Sequence, residues 1–389
     1  MADNKQFETQ AVRTQIAPTH AQEHATPMYL TSSFTYQDAE EMRAAFAAEN
    51  DKNIYSRFSN PNTQELVDKL CLLEKAEAGF AFASGMAAVF STFAALLSAG
   101  DHIVSCRSIF GSTHTVFNKI LPKWNIHTTY VDINDTESWA AAVQSNSKLL
   151  YVESPTNPGV DLVDLAWLGD FAKEHKLILV VDNCFATPYL QQPTDYGADL
   201  VIHSATKFID GQGRVLGGAT VGRKDLIDEI YAFARSTGPA MSPFNAWVLS
   251  KSLETLAVRM DRHCDSALKL AQFLEGHEQV NWVKYPFLPS HPQYDIAKAQ
   301  MRAGGGVVAF GIKGGLEKGQ AFLNSVKMCS LTANLGDSRT IVTHPSSTTH
   351  AKLTEEERQL VGITPELIRV SVGLEHADDI IGDIAQALT

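Results

Sequence analysis

The run Ala198-Asp-Leu-Val-Ile-His-Ser-Ala-Thr-Lys207-Phe-Ile-Asp-Gly-Gln-Gly-Arg-Val-Leu-Gly-Gly218 places one lysine just after an apolar segment, among hydroxyls and glycines. Leu200 to Ile202 reads as a buried strand. Beyond it, Ser204 and Thr206 stand where a phosphate could be held, and the following glycines let backbone approach a flat ligand. An amine buried at a strand end has a lowered pKa, because desolvation penalises the ammonium, and a neutral amine attacks aldehydes. Lys207 therefore reads as a Schiff-base lysine, and pyridoxal 5'-phosphate as its ligand. A surface lysine after an edge strand is the alternative against which its neighbours weigh.

Upstream, the apolar segments Leu149–Glu153 and Leu177–Asp182 are separated by an amphipathic helix that Asp164 caps. Apolar strands alternating with such helices make an α/β fold with a largely parallel sheet covered on both faces. Ligands of such sheets sit at the carboxyl ends of the strands, which picks out Asn157 and Asp182. A carboxylate buried there is costly unless it meets a cation. A protonated pyridine nitrogen is one, and keeping it protonated makes the ring an electron sink. Asp182 also fits a plain strand-end turn.

Further upstream, Gly79-Phe-Ala-Phe-Ala-Ser84-Gly85-Met86 turns from a short strand directly into a helix, whose first amides form an anion site. Many helices begin with Ser-Gly and bind nothing. Asn62 with Glu65 reads as an approximate capping box opening a helix with a Leu66, Leu70, Leu73 stripe. Residues 1–63 are poor in periodic apolar positions and read as an arm. Within it, Tyr55 and Arg57 lie two apart, on one side of an extended segment, a geometry that grips phosphate or belongs to an ordinary loop.

Downstream, Gly217–Gly222 reads as a strand, Phe244–Gly276 as one long helix, and Gly304–Ile312 as the strand opening a smaller α/β layer. Asp378 begins the final helix. The hydroxyl-rich loops Leu331–Arg339 and Thr343–His350 are candidates for a substrate wall. His344 and His350 lack a third ligand or helical spacing, so no metal is expected. Arg369 interrupts an apolar strand and calls for a bidentate carboxylate partner, a ligand's or a structural one.

A chain of 389 residues with 44% hydrophobic and 20% charged content suits two domains, here 64–256 and 257–389 behind the arm. The formal charge of −12 argues against nucleic acid as a bulk partner, and no apolar run approaches a membrane span. The start Met-Ala-Asp-Asn-Lys-Gln lacks the regions of a secretory signal, so the cytoplasm is expected. Five dispersed cysteines without a Cys-x-x-Cys pair read as buried, reduced thiols.

With these motifs in hand, the chain resembles the Cys/Met metabolism family of pyridoxal-phosphate enzymes over nearly its whole length, and the Asp210-Gly-Gln-Gly-Arg214 tail is similar to that of its O-succinylhomoserine sulfhydrylase subgroup. The resemblance implies the aminotransferase-like fold (fold type I). It implies Lys207 as catalytic lysine, Asp182 as partner of the pyridine nitrogen, and amides of Gly85 and Met86, with Ser204 and Thr206, around the phosphate. It places Asn157 near the ring oxygen or the substrate carboxylate and Phe110 against the ring. Many relatives have tyrosine at Phe110; phenylalanine keeps the stacking face and loses the phenol.

The resemblance further implies that Arg369 clamps the substrate α-carboxylate beside Asn334, where many relatives have serine. Tyr55 and Arg57 are expected to reach the cofactor phosphate of a neighbouring subunit in a homotetramer built of dimers. Cys184 is given no catalytic role. The implied reaction is γ-replacement on O-succinyl-L-homoserine by sulfide. An O-acetylhomoserine sulfhydrylase, a cystathionine γ-synthase and a catalytically silent cofactor-binding regulator remain alternatives. Thr115 stands where cystathionine-forming relatives often place an arginine, with Arg57 and Arg214 as possible substitutes.

Overall fold

The computed structural model describes residues 5–349, 351, 354–360 and 362–389. Seven strands form one sheet: β1 (Ala78–Phe82), β2 (His102–Cys106), β3 (His127–Val131), β4 (Ser147–Glu153), β5 (Ile178–Asp182), β6 (Leu200–His203) and β7 (Gly218–Gly222). Their order is β1-β7-β6-β5-β4-β2-β3. Only β7 runs antiparallel to its neighbours. β4, β5 and β6 are buried almost throughout, as strands covered on both faces must be, so they read as continuous apolar runs. The edge strand β3 is only half-buried, and its mixed His-Thr-Thr-Tyr-Val sequence gave no strand signal.

A second sheet has the order β10-β11-β12-β9-β8, from β8 (Val280–Lys284), β9 (Val307–Ile312), β10 (Ser330–Leu331), β11 (Ile341–Thr343) and β12 (Leu367–Ser371). β8, not the glycine-led β9, opens it; its single Val-Asn-Trp-Val alternation is too short to stand out. The final helix, Ala377–Leu388, buries Ile380 and Ile384 against this sheet.

Helix Pro61–Glu74 buries Leu66, Leu70 and Leu73 as their spacing predicts. Its cap is Asn60, which accepts from the Asn62 amide ahead of a proline at the first helical position, so the expected Asn62–Glu65 box does not form. Both residues serve the arm instead. Asn62 Oδ1 accepts from the Tyr29 amide at 2.7 Å, and Glu65 accepts from the Ile16 amide and the Thr26 hydroxyl while pairing with buried Lys69. The arm is more structured than its composition suggests, with helices Phe7–Arg13 and Ala39–Phe46, and Phe7 edge-on to Tyr189.

The single helix expected over 244–276 is two, Pro243–Leu253 and Leu256–Glu275. The break follows from the Ser252 carbonyl, which takes the Thr255 amide at 3.2 Å and the Arg259 guanidinium at 2.9 Å. The apolar stripe Leu249, Leu253, Leu256, Met260 passes through the break fully buried. No helix among the described residues is long and apolar enough to cross a membrane.

Candidate active site

The carboxyl ends of β4, β5 and β6, the helix after β1 and two loops of the second sheet close around a cavity of about 280 Å³. Its wall includes Gly85, Met86, Phe110, Asn157, Asp182, Ser204, Thr206, Lys207 and Arg369. Ten of the twelve residues singled out from the sequence thus have a place at one site, nine in the wall and the tenth, Asn334, bonded to Lys207.

Lys207 follows β6 on a tight turn in which its amide donates to the Ser204 carbonyl at 3.2 Å. Its Nζ donates to Asn334 Oδ1 at 2.6 Å. Burial pushes the amine below the usual lysine range; the Arg369 charge pushes the same way, and Cys184 opposes. Thr206 Oγ1 lies between the amide and carbonyl of Gly217, fixing the strand that returns from the loop. The glycines of that loop do not face the cavity as expected. Gly211 and Gly213 adopt positive φ, and a Cβ on them would strike Arg259 and Asp337, so they are glycines because side chains pack on them.

Asp182 ends β5. Its Oδ1 accepts from the Cys184 amide at 3.0 Å and its Oδ2 from the Tyr151 hydroxyl at 3.3 Å. Burial raises the carboxyl to about 6, the two hydrogen bonds opposing. Such a group is a poor free anion and a good partner for a cation delivered into the cavity. In register with it on β4 is Glu153, raised well above the carboxylate range by burial and by Asp182. Glu153 Oε1 accepts from the Phe110 amide at 2.6 Å and lies 3.4 Å from the Tyr151 hydroxyl. The Phe110 ring is 43% exposed in the cavity wall.

Ser84 caps helix Gly85–Leu96, its Oγ accepting from the Ala87 amide at 3.1 Å. The amides of Gly85 and Met86 have no partner among the described residues, which makes this a free helix N-terminus. Ser204 approaches so closely that a Cβ on Gly85 would lie 2.5 Å from the serine Cβ. Two free amides with hydroxyls beside them, a carboxylate that wants a cation and a neutral-leaning amine fit a phosphorylated pyridine aldehyde.

The second sheet supplies the opposite wall. Arg369 on β12 donates through Nη1 to Asn157 Oδ1 at 2.7 Å and through Nη2 to the Asn334 carbonyl at 3.2 Å. Its Nε is buried without a partner, and no carboxylate pairs with it among the described residues. Burial lowers the guanidinium to about 10. A cation in this state has room for an anionic ligand and not for a structural ion pair.

Tyr55 and Arg57 are not in the wall. Arg57 stacks on Phe58 at 4.6 Å and donates to the Arg235 carbonyl, while Tyr55 is 41% exposed. Arg214 is unavailable as an extra cation, because it pairs with buried Asp210 at 3.0 Å and donates to Ser252. Thr115 Oγ1 donates to its own helix at Gly111. His344 is fully buried between Ser347 Oγ and the Pro365 carbonyl, each at 2.7 Å, and His350 lies outside the described residues. No group of three metal-ligating side chains occurs among the described residues. All five cysteines are free, but Cys71 and Cys184 are only half-buried, Cys184 because it lines the cavity.

Sequence reasoning missed Tyr151, Glu153, Arg259 and Gly336. Arg259 donates to the carbonyls of Phe208 at 2.6 Å and Ile209 at 3.1 Å, clipping the segment after Lys207. A charge beside the apolar stripe of its helix was the available signal. Gly336 has φ +71°, and a Cβ there would lie 2.5 Å from the Phe208 amide, so this loop rests directly on the lysine backbone. Nothing local announces that contact.

A profile of the Cys/Met metabolism PLP-dependent enzymes matches residues 8–389. The chain belongs to this family. As a Cys/Met metabolism enzyme it is PLP-dependent, with the aminotransferase-like fold type I. It is 45% identical to an O-succinylhomoserine sulfhydrylase of Pseudomonas aeruginosa over 98% of this chain and 95% of the relative. It is 47% identical to one of Mycobacterium tuberculosis, over 95% and 92%. An L-methionine gamma-lyase of Treponema denticola is 42% identical, over 94% and 92%. A solved structure described as an O-acetylhomoserine (thiol)-lyase of Campylobacter jejuni superimposes with a TM-score of 0.95 at 33% identity, covering 99% of this chain and 100% of that one. That crystal holds an N'-pyridoxyl-lysine-5'-monophosphate.

Proposed function

We propose that this chain is an O-succinylhomoserine sulfhydrylase, exchanging succinate at Cγ of O-succinyl-L-homoserine for sulfide to give L-homocysteine in methionine biosynthesis. The carrying observation is Arg369, buried, unpaired at Nε and lining the same cavity as Lys207, which is what recognition of an amino-acid carboxylate requires. The relatives from Pseudomonas aeruginosa and Mycobacterium tuberculosis, so named, support the choice of ester.

When bound, pyridoxal phosphate supplies the electron sink that acidifies the substrate's Cα and then its Cβ protons. The amides of Gly85 and Met86, with Ser204 and Thr206, would hold its phosphate, Asp182 would keep its ring nitrogen protonated, and Phe110 would pack against its ring. Arg369 and Asn157 hold the substrate carboxylate, which points Cα toward Lys207. The Lys207 amine takes the α-proton and moves the β-proton; a flexible four-carbon stem lets one base reach both atoms. Succinate leaves with the C–O bond electrons, sulfide forms the C–S bond at Cγ, and the protons return in reverse order.

Tyr55 and Arg57 serve the phosphate of a partner subunit, in a homotetramer built of dimers with shared sites. That neither lines the cavity of its own chain suits that role. The arm 1–63 carries them, 64–256 holds the cofactor, and 257–389 closes over the substrate. The enzyme works in the cytoplasm.

An acetyl ester is favoured by one specific observation, that Lys207 and Arg369 are the only cationic side chains in the cavity wall among the described residues. Purified protein is to be assayed with succinyl and acetyl homoserine esters against sulfide and cysteine. Preference for the succinyl ester and sulfide is expected. Acetyl preference or cystathionine formation overturns the assignment, and no turnover with any pair indicates a silent cofactor-binding protein.

A further inference from the structure

Glu153 is the one carboxyl in the cavity wall for which the proposed chemistry has no use. It is 5% exposed and has no cationic partner among the described residues. The groups around it are the Phe110 amide, the Tyr151 phenol, the Asp182 carboxyl and the Cys106 thiol, with Cys184 beyond Asp182. One hydroxyl, that of Tyr151, lies within 3.4 Å of Glu153 Oε1 and 3.3 Å of Asp182 Oδ2, and it has a single proton to give. Two adjacent buried carboxylates cannot both be served by it, and a second anion here has no compensating charge. The phenol donates to Asp182, which ionises when a cation is bound, and Glu153 keeps its proton. Its carbonyl oxygen takes the Phe110 amide at 2.6 Å, at the start of the segment that carries the Phe110 ring into the cavity.

We propose that Glu153 is a neutral positioning acid, whose carbonyl oxygen fixes the Phe110 amide and with it the aromatic ring, while its lack of charge leaves the Tyr151 proton to the Asp182 carboxylate. The inference rests on the cofactor and Asp182 roles proposed above. It explains why the strand neighbour of Asp182 carries a polar side chain and not another apolar residue: the Phe110 amide and the Tyr151 hydroxyl both lie against that position.

The test compares Glu153→Gln and Glu153→Leu in the holoenzyme, reading the visible circular dichroism of the bound cofactor, the pH titration of its absorbance and its dissociation constant. The Gln variant keeps a carbonyl for Phe110 and adds no charge, so all three readings stay within about twofold of the parent. The Leu variant leaves the Phe110 amide unpaired and loses at least half of the dichroic signal, with cofactor affinity about tenfold weaker or more. A Gln variant as damaged as Leu, or one whose absorbance titration moves down by a full pH unit, means that Glu153 is charged and overturns the proposal. A Leu variant identical to the parent overturns the positioning role. Should the Leu chain not fold, the Gln titration decides alone. A parent protein with no visible cofactor band would defeat the underlying site reading instead, which separates the two failures.

Discussion

Asp182 and Glu153 reach the cavity from adjacent, in-register strand ends of the seven-stranded sheet, whereas Asn334 and Arg369 reach it from the five-stranded sheet, 127 residues beyond Lys207 and 212 beyond Asn157. The first wall is held by a buried strand ladder in which moving one side chain means moving the sheet. In the second, Arg369 also sits on a buried strand paired on both sides, but the loop that carries Asn334 is tied to the site by few contacts: one guanidinium bond, one lysine–asparagine bond and a glycine resting on the lysine backbone. On the proposed reading the first wall carries what must not move, the cofactor and the base, and the second carries what selects substrate.

The largest break in that division comes from Lys207→Ala, for which product formation is expected to fall by about a thousandfold or more, with the protein-bound visible band lost. Activity surviving at about a tenth of the parent would place the base elsewhere. Asp182→Asn should lower kcat about a hundredfold, since roughly 3 kcal/mol is at stake when one partner of a buried charge pair is removed. Steady-state kinetics on cofactor-saturated protein measure it.

On the opposite wall, Arg369→Lys is expected to lower kcat/KM by about tenfold to a hundredfold, mainly through KM, because a lysine cannot present the planar two-point donor. The absorbance of the bound cofactor should stay as in the parent; a changed spectrum would show that the two walls are not separable. Arg259→Met tests the clip on the segment after Lys207. The Phe208 and Ile209 carbonyls lose the guanidinium while that of Ser252 keeps Thr255, so stability should fall by about 2 kcal/mol, read as a lower Tm.

The smallest effect concerns pH. A carboxyl raised to about 6 in the fold holds a proton that the unfolded chain has already released, so its contribution to stability declines as pH rises from about 4 to 6. Cofactor-free Asp182→Asn should therefore gain on the order of 1 kcal/mol over the parent above pH 6, allowing for the part of Asp182 open to the cavity, and nothing below pH 4. Denaturant titrations at pH 4 and pH 7.5 distinguish the two cases.

The same division explains what could be read before the fold was known. β4, β5 and β6 are continuous apolar runs with a functional residue at or just past their ends, so Asp182, Asn157 and Lys207 were legible from local pattern, as was the Ser84-Gly85 helix start. Arg369 is visible as a charge in an apolar strand, but its neighbour Asn334 is singled out only by family resemblance. Glu153 reads locally as a plain strand end, because its meaning lies in its register with Asp182 and in the Phe110 amide, and strand pairing is not a local property. The Asn62 capping box failed for a related reason: Asn60, with proline behind it, satisfies the helix end, and distant arm residues recruit Asn62 and Glu65.

The most direct measurement is reduction of the freshly purified, cofactor-saturated protein with borohydride, followed by proteolysis and peptide mass mapping. A phosphopyridoxyl adduct on the peptide containing Lys207, and on no other lysine, is the expected result. An unmodified Lys207 peptide, or an adduct confined to another lysine, would contradict the assignment of the cavity as the site of this chemistry.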